Sequence, residues 1–179
     1  MENGLLILEI DEYLSLRVRP LSEAEGLSTL IEENRQHLRE WLPWLDDSTS
    51  IKDSEIYLQR VLDGIKVGDC CDFGIYYNDA QIGSAGFHSL DAKNRNGEIG
   101  YWISKNFEGK GIITKVVKTL IDYGRDKCNL HRIVIKVQPD NKRSWSIPVR
   151  LGFELEGVER DGGIQNGVFI DLEVWSLLV

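Results

Sequence analysis

The sequence predicts an α/β (α+β) fold built on a mixed, mostly antiparallel sheet, and three patterns support this class. Residues 72–90 alternate between polar and apolar side chains around an Asn-Asp turn, which is typical of a hairpin. Residues 111–127 carry apolar side chains at helical spacing, and RIVIKV, Arg132 to Val137, reads as a strand covered on both faces. The helix between two strands predicts one crossover connection. We expect residues 1–179 to form a single domain.

The first quarter of the chain predicts a strand and two helices. Residues 5–18 read as one strand with room for a short hairpin, and Ser22 with Glu25 forms a capping-box pattern at the start of a helix. Trp41 and Trp44 flank Pro43, a pattern more typical of a packing corner than of a site. A second helix is expected over residues 53–65.

The other predicted elements are a polar turn, a short helix and a last strand. Residues 91–97 form a polar turn that does not fit a calcium loop, because lysine and arginine occupy ligand positions. A short helix is expected over Ser144 to Arg150, ended by Gly152, followed by a last strand over Phe169 to Leu178.

Composition and charge limit the classes of function. The formal net charge of −8 argues against nucleic acid and favours a cationic substrate. The N-terminus lacks the basic region of a signal peptide, no segment is long and apolar enough to cross a bilayer, and the three cysteines match neither a disulfide framework nor a metal site. We therefore expect a cytoplasmic protein without membrane contacts or a bound metal.

The stretch EIGYWISKNFEGKGIITKVVK, residues 98–118, predicts an anion site. Gly109 and Gly111 lie between a strand and a helix, where unpartnered helix N–H groups and the helix dipole attract a phosphate. The spacing matches neither a Walker loop nor the dinucleotide-binding fingerprint. The alternative is a tight turn with no ligand.

Several motifs in this order resemble the GCN5-related N-acetyltransferase (GNAT) superfamily. They are NFEGKG at residues 106–111, the strand at 132–137, NKRS at 141–144 and LGF at 151–153. With HLREWLPWLD, EIGYWI and LEG, they resemble ribosomal-protein N-terminal acetyltransferases of the RimJ/RimL type. The resemblance implies a sheet with a splayed strand pair and helices on both faces, acetyl-coenzyme A as cofactor and an N-acetylated product.

The same resemblance assigns cofactor-binding residues. The splayed strand would pair with the pantetheine arm through Tyr101, Trp102 and Ile103, and one of its N–H groups would bind the carbonyl oxygen. The diphosphate would lie on the backbone of Gly109, Lys110, Gly111, Ile112, Ile113 and Thr114. Asn141 would also bind the cofactor, and Ser144 would donate to the departing thiolate. Read without the resemblance, Asn141 and Ser144 are a helix cap.

The general base is less defined by the sequence. Glu98 begins the strand expected to face the acetyl group, although an exposed strand-end carboxylate is the alternative. Some relatives use a glutamate beyond the LGF element, where this chain has Gly163, with Glu159 and Asp161 as neighbours. His88 and His131 have no carboxylate at recognisable spacing and read as structural histidines.

The expected activity is direct attack of an amine on acetyl-coenzyme A. By the resemblance, the amine is the N-terminal α-amine of a protein. Two alternatives remain open, namely acetylation of a small amine such as a polyamine, an aminoglycoside or an amino-acid-like molecule, and a non-catalytic acyl-CoA-binding module. The sequence leaves the oligomeric state open, with a homodimer as one option.

Overall fold

The computed structural model describes residues 6–179, which form one eight-stranded sheet in the order β1-β2-β3-β4-β5-β6-β8-β7. The strands are β1 Ile7–Glu9, β2 Leu14–Arg17, β3 Cys71–Tyr77, β4 Ala80–Asp91, β5 Asn96–Ile103, β6 Arg132–Val137, β7 Glu154–Gln165 and β8 Val168–Leu178. All neighbouring strands in this described part are antiparallel except β5 and β6. The predicted mixed, mostly antiparallel sheet is confirmed.

Four α-helices of the described chain cover the sheet: α1 Ala24–Leu38, α2 Ile51–Val67, α3 Ile112–Asp126 and α4 Lys142–Arg150. Helices α1 and α2 form a small core of their own with Trp102, on the face opposite α3 and α4. Helix α3 connects the parallel strands β5 and β6, as predicted. None of the helices in residues 6–179 is long and apolar enough to span a membrane.

The main core lies between α3 and the sheet. Six apolar side chains of α3 recur at helical spacing and are at most 8% exposed: Ile112, Ile113, Val116, Val117, Leu120 and Ile121. They pack on buried strand residues such as Phe87, Ile99 and Ile133. Burying this stripe fixes the rotation of α3 about its axis, and with it the direction in which its first turn faces.

The N-terminal third departs from the sequence prediction in detail. The strand expected over residues 5–18 is a hairpin of β1 and β2, as the sequence allowed, and its predicted start at Leu5 lies outside the described residues. The capping box at Ser22 is wrong, because a 3-10 turn over Leu21–Glu23 precedes α1 and Glu23 provides no side-chain cap. A capping box instead begins α2, where Ser50 and Asp53 bond reciprocally.

Strand β7 has no counterpart in the sequence prediction. It runs along the sheet edge beside β8, and most of its residues are exposed on both faces. Its register against β8 shifts twice, after Leu155 and after Glu159. An exposed and bulged edge strand loses the alternation of polar and apolar side chains by which strands are recognised.

Candidate active site

The turn between β5 and α3 holds two glycines in the left-handed region. Gly109 has φ +70° and Gly111 has φ +73°, and Gly111 is the N-cap of α3. A Cβ at either position would meet no atom within 4 Å among residues 6–179, apart from its chain neighbours. Backbone conformation, not crowding by the protein, therefore requires glycine here, and the space beside the turn is open to a ligand.

The backbone N–H groups of residues 109–114 have no acceptor among residues 6–179. The first hydrogen bond of α3 runs from the Lys115 N–H to the Gly111 carbonyl, at 3.2 Å, and no side chain of the described residues caps the helix. These donors belong to Gly109, Lys110, Gly111, Ile112, Ile113 and Thr114. Because they lie at the positive end of a 15-residue helix, the row suits a phosphate or diphosphate.

Side chains from two helices contact this turn. The Glu108 carboxylate lies 3.0 Å from His37 Nε2 of α1 and 2.6 Å from Arg143 Nη1 of α4. Arg150 Nη1 of α4 donates to the Thr114 hydroxyl at 2.8 Å. Side chains of α1 and α4 thus contact residues at both ends of the turn.

Strands β5 and β6 separate directly in front of this turn. They pair only from Asn96 with Arg132 to Glu98 with Val134. Beyond that point β5 continues along β4 to Ile103, and β6 continues along β8 to Val137. The predicted splayed strand pair is confirmed, and Glu98 is the last β5 residue before the gap.

The backbone of β5 faces the gap at alternate residues. The Ser104 N–H donates to the Ile82 carbonyl at 2.7 Å, so the alternation turns Trp102 toward Ser84 in the β4 ladder. Tyr101 and Ile103 therefore turn their N–H and C=O groups toward the gap. The expected backbone role of Trp102 is wrong, because its register pairs it with Ser84 and turns its N–H and C=O groups away from the gap. The centroid of its ring lies 6.5 Å from that of Trp44.

Ser144 lies beside the gap on α4. The Tyr101 hydroxyl is 3.1 Å from both Ser144 Oγ and the Ser144 carbonyl oxygen. Burial raises the pKa of Tyr101 to about 12, so its hydroxyl stays protonated. The Asn141 side chain accepts the Ser144 N–H at 3.1 Å, which is the cap geometry, and its amide N–H groups have no acceptor among residues 6–179.

Glu98 lies at the vertex of the splay, on the face away from α3. Its Oε1 is 3.1 Å from His88 Nε2, and its Oε2 is 3.7 Å from Lys136 Nζ. Burial alone would raise the pKa of Glu98, but the His88 hydrogen bond and the Lys136 charge outweigh it, so the pKa lies below its ordinary value. The carboxylate borders an open cavity of about 220 Å³ that also contacts Lys136 and Glu159.

The other candidates for the base differ in position. Glu159 Oε1 binds Lys136 Nζ at 3.0 Å and faces the cavity that contains Glu98. Asp161 is exposed in the β7 bulge, where its N–H donates to Asp171. Gly163 pairs with Ile170, farther along β7. Of the three, only Glu159 shares an ion-pair partner with Glu98.

No carboxylate lies at a recognisable sequence spacing from His88, but in the fold Glu98 contacts its ring. The spacing of His88 and Glu98 in the sequence does not indicate this contact, because it depends on a β-bulge in β4. His37 likewise meets Glu108 across 71 residues of chain. Lys136 was overlooked as well; its signal was a lysine interrupting an otherwise apolar strand.

Comparison with known proteins agrees with this architecture. A family model described as an acetyltransferase (GNAT) domain matches residues 15–154. The chain is 36% identical to a putative ribosomal N-acetyltransferase, YdaF, of Bacillus subtilis (strain 168), over 95% of this chain and 93% of the relative.

Two solved structures are similar over nearly their whole length. One is the microcin C7 self-immunity acetyltransferase MccE in complex with acetyl-CoA and AMP, with a TM-score of 0.91, 31% identity and 96% of each chain covered. The other is RimL, a ribosomal L7/L12 α-N-protein acetyltransferase in complex with coenzyme A. It has a TM-score of 0.93 and 26% identity, with 97% of this chain and 98% of RimL covered. This chain belongs to the GNAT acetyltransferase family.

Proposed function

We propose that the chain binds acetyl-CoA in the β5–β6 gap and transfers the acetyl group to the N-terminal α-amine of a protein, by direct attack. One observation supports this most strongly: the splay opens onto a row of N–H groups, residues 109–114, without acceptors in the described chain. Acetyl-CoA or coenzyme A is bound in the two similar structures, MccE and RimL.

The residues around the gap fit this cofactor. The N–H groups of residues 109–114 would hold the diphosphate, and Tyr101 and Ile103 offer backbone donors and acceptors to the amides of pantetheine. When bound, acetyl-CoA supplies the acyl group as a thioester. A free β5 N–H would donate to the carbonyl oxygen as its negative charge increases. Asn141 would add an amide donor at the same end of α4.

Ser144 and Glu98 would handle the protons. Ser144 Oγ would donate to the departing thiolate, and Tyr101 holds that hydroxyl at 3.1 Å. Glu98 would accept the proton of the amine, directly or through water. Its lowered pKa keeps it ionised at neutral pH but makes it a weak base.

The weak base favours an α-amine as acceptor. An α-amine with a pKa of about 7.7–8.0 is roughly a quarter neutral at cytoplasmic pH, whereas a lysine amine is roughly a thousandth neutral. An α-amine therefore needs little help to lose its proton. The names of YdaF and RimL, which refer to ribosomal N-acetylation and to ribosomal L7/L12, support a protein N-terminus.

Acetylation of a small amine is the second candidate. The similarity to MccE, a self-immunity acetyltransferase crystallised with AMP, favours it. The net charge of −8 suits a cationic acceptor of either kind. We also propose that the protein is cytoplasmic and that it forms a homodimer.

A substrate panel separates the candidates. Purified protein and acetyl-CoA would be mixed with peptides bearing a free α-amine, the same peptides with a blocked N-terminus and one lysine, and small amines without an α-amine, such as a polyamine and an aminoglycoside. We expect thiol release and an added acetyl mass only with free α-amines. Activity confined to small amines would contradict the protein acceptor. A coenzyme A-induced rise in Tm without turnover of any amine would contradict an enzymatic role.

Replacing Ser144 with alanine is expected to lower kcat by about tenfold, the value of one hydrogen bond to a charged group. Coenzyme A affinity should change less than twofold, because the backbone amides of the turn are untouched. Ser146→Ala is the matched control, since Ser146 lies on the same helix and its hydroxyl donates to the Arg143 carbonyl. Equal rates for the Ser144 and Ser146 variants would show that Ser144 does not donate to the departing thiolate.

A further inference from the structure

His88 is the extra residue of a β-bulge in β4. Phe87 pairs with Ile99 and Ser89 pairs with Glu98, so His88 has no partner residue on β5. A bulge redirects the side chain of its extra residue, and bulges are frequent beside active sites. Here the redirected ring contacts Glu98, with 3.1 Å between His88 Nε2 and Glu98 Oε1.

Gly100 gives the ring its space. A Cβ on Gly100 would come within 2.9 Å of His88 Nδ1. The φ of Gly100 is not in the left-handed region, so backbone conformation does not require glycine at this position. Both the bulge and the absent side chain therefore place the imidazole against Glu98.

Besides His88, charged groups of β4, β6 and β7 lie around the Glu98 carboxylate. Lys136 of β6 lies 3.7 Å from its Oε2, and Glu159 of β7 binds the same lysine at 3.0 Å. Asp91 of β4 and Arg132 of β6 line the cavity beside Glu98, and Arg132 is paired with Glu156 of β7. Glu98 thus has a fixed cation on one side and an imidazole on the other.

A proton accepted by Glu98 cannot stay there at neutral pH, because its pKa lies below the ordinary value. Lys136 is not an acceptor, since its ion pairs with Glu159 and Glu98 outweigh burial and raise its pKa, keeping it charged. The imidazole is the other base in contact with Glu98 in the described chain. Its side chain is 53% exposed, so it also reaches water.

We propose that His88 is the proton exit of the active site and acts through Glu98. The inference rests on the proposed function, in which Glu98 accepts the amine proton. While Glu98 is ionised, the ring donates its Nε2–H to the carboxylate. Once Glu98 holds the amine proton, the ring hydrogen moves from Nε2 to Nδ1 through water, and Nε2 becomes an acceptor. The proton then passes from Glu98 to Nε2 as the Nδ1 proton leaves to water, which restores the Nε2–H that donates to the ionised carboxylate. No other bond forms or breaks, and the carboxylate is ready for the next turnover.

Replacing His88 tests the relay with two variants. His88→Ala is expected to lower kcat about tenfold or more, with an unchanged KM for acetyl-CoA, and added imidazole should restore part of the loss. His88→Gln keeps a hydrogen-bond donor for Glu98 but offers no base, so it should be as slow as His88→Ala. His131→Ala, which removes an exposed histidine elsewhere, should match the unmodified protein.

The outcomes separate the relay from the proposed function. A wild-type rate for His88→Ala, a loss that imidazole does not restore, or full activity of His88→Gln would overturn the relay. If Glu98→Gln is nevertheless slow, the proposed function survives. If Glu98→Gln retains full activity, the base lies elsewhere and the relay fails with it.

Discussion

Replacing Glu98 with glutamine is expected to slow acetyl transfer by roughly 100-fold or more, the usual contribution of a general base. Glutamine preserves the shape of the side chain but accepts no proton. The pKa of Glu98 lies below its ordinary value, so the carboxylate is ionised throughout the neutral range. The loss should therefore be similar at all pH values above about 6. The fall in rate toward low pH should persist in the variant, because it reports the amine of the substrate.

Coenzyme A affinity distinguishes this effect from damage to the site. Isothermal titration should give the same Kd for the Glu98→Gln variant and the unmodified protein. Glu159→Gln is the matched control, because Glu159 shares Lys136 with Glu98 but lies on β7. We expect it to lower the rate less than about threefold. If Glu159→Gln were slow and Glu98→Gln fully active, Glu159 and not Glu98 would be the base.

Replacing Gly111 with leucine is expected to raise the Kd for coenzyme A by at least about 100-fold. The side chain would project into the open space beside the turn, where the described part of the chain places no atom within 4 Å of the Cβ position except its neighbours in sequence. It would also disfavour the φ of +73°, at a cost of about 1–2 kcal/mol in the free energy of unfolding. The protein should still fold, and calorimetry and thermal melting measure both effects.

Gly167 provides the control for backbone strain. It has φ +75° in the turn between β7 and β8, and its Cβ position is equally open. Gly167→Leu should lower stability by a similar amount and leave coenzyme A affinity within about twofold. Equal cofactor affinities in the two variants would show that the glycine turn before α3 holds no ligand.

Local patterns predicted the elements that position the site. The period of apolar residues in α3 and the Asn78-Asp79 turn of the β3–β4 hairpin follow from chemistry within a few residues. Both turn residues have positive φ, at 49° and 61°, as a two-residue hairpin loop requires. For such elements the determining interactions are adjacent in sequence, so the pattern is sufficient.

Contacts between residues on different strands could not be predicted from local sequence patterns. The orientation of His88 depends on a one-residue bulge, and a bulge leaves no periodic signal in a strand that is otherwise regular. The direction of the Trp102 backbone groups depends on its pairing with Ser84. A shift of one residue in register would turn its N–H and C=O groups toward the opposite neighbouring strand. The motifs placed Ser144 near the gap, but the contact of its hydroxyl with Tyr101 required the fold.

A crystal structure of this chain with coenzyme A tests the central claim most directly, namely that exposed backbone of the turn and of β5 holds the cofactor. We expect diphosphate oxygens within about 3 Å of backbone nitrogens in residues 109–114. The pantetheine should lie between β5 and β6, within reach of Tyr101 and Ser144. A diphosphate bound elsewhere, with the gap between the two strands unoccupied, would contradict the claim.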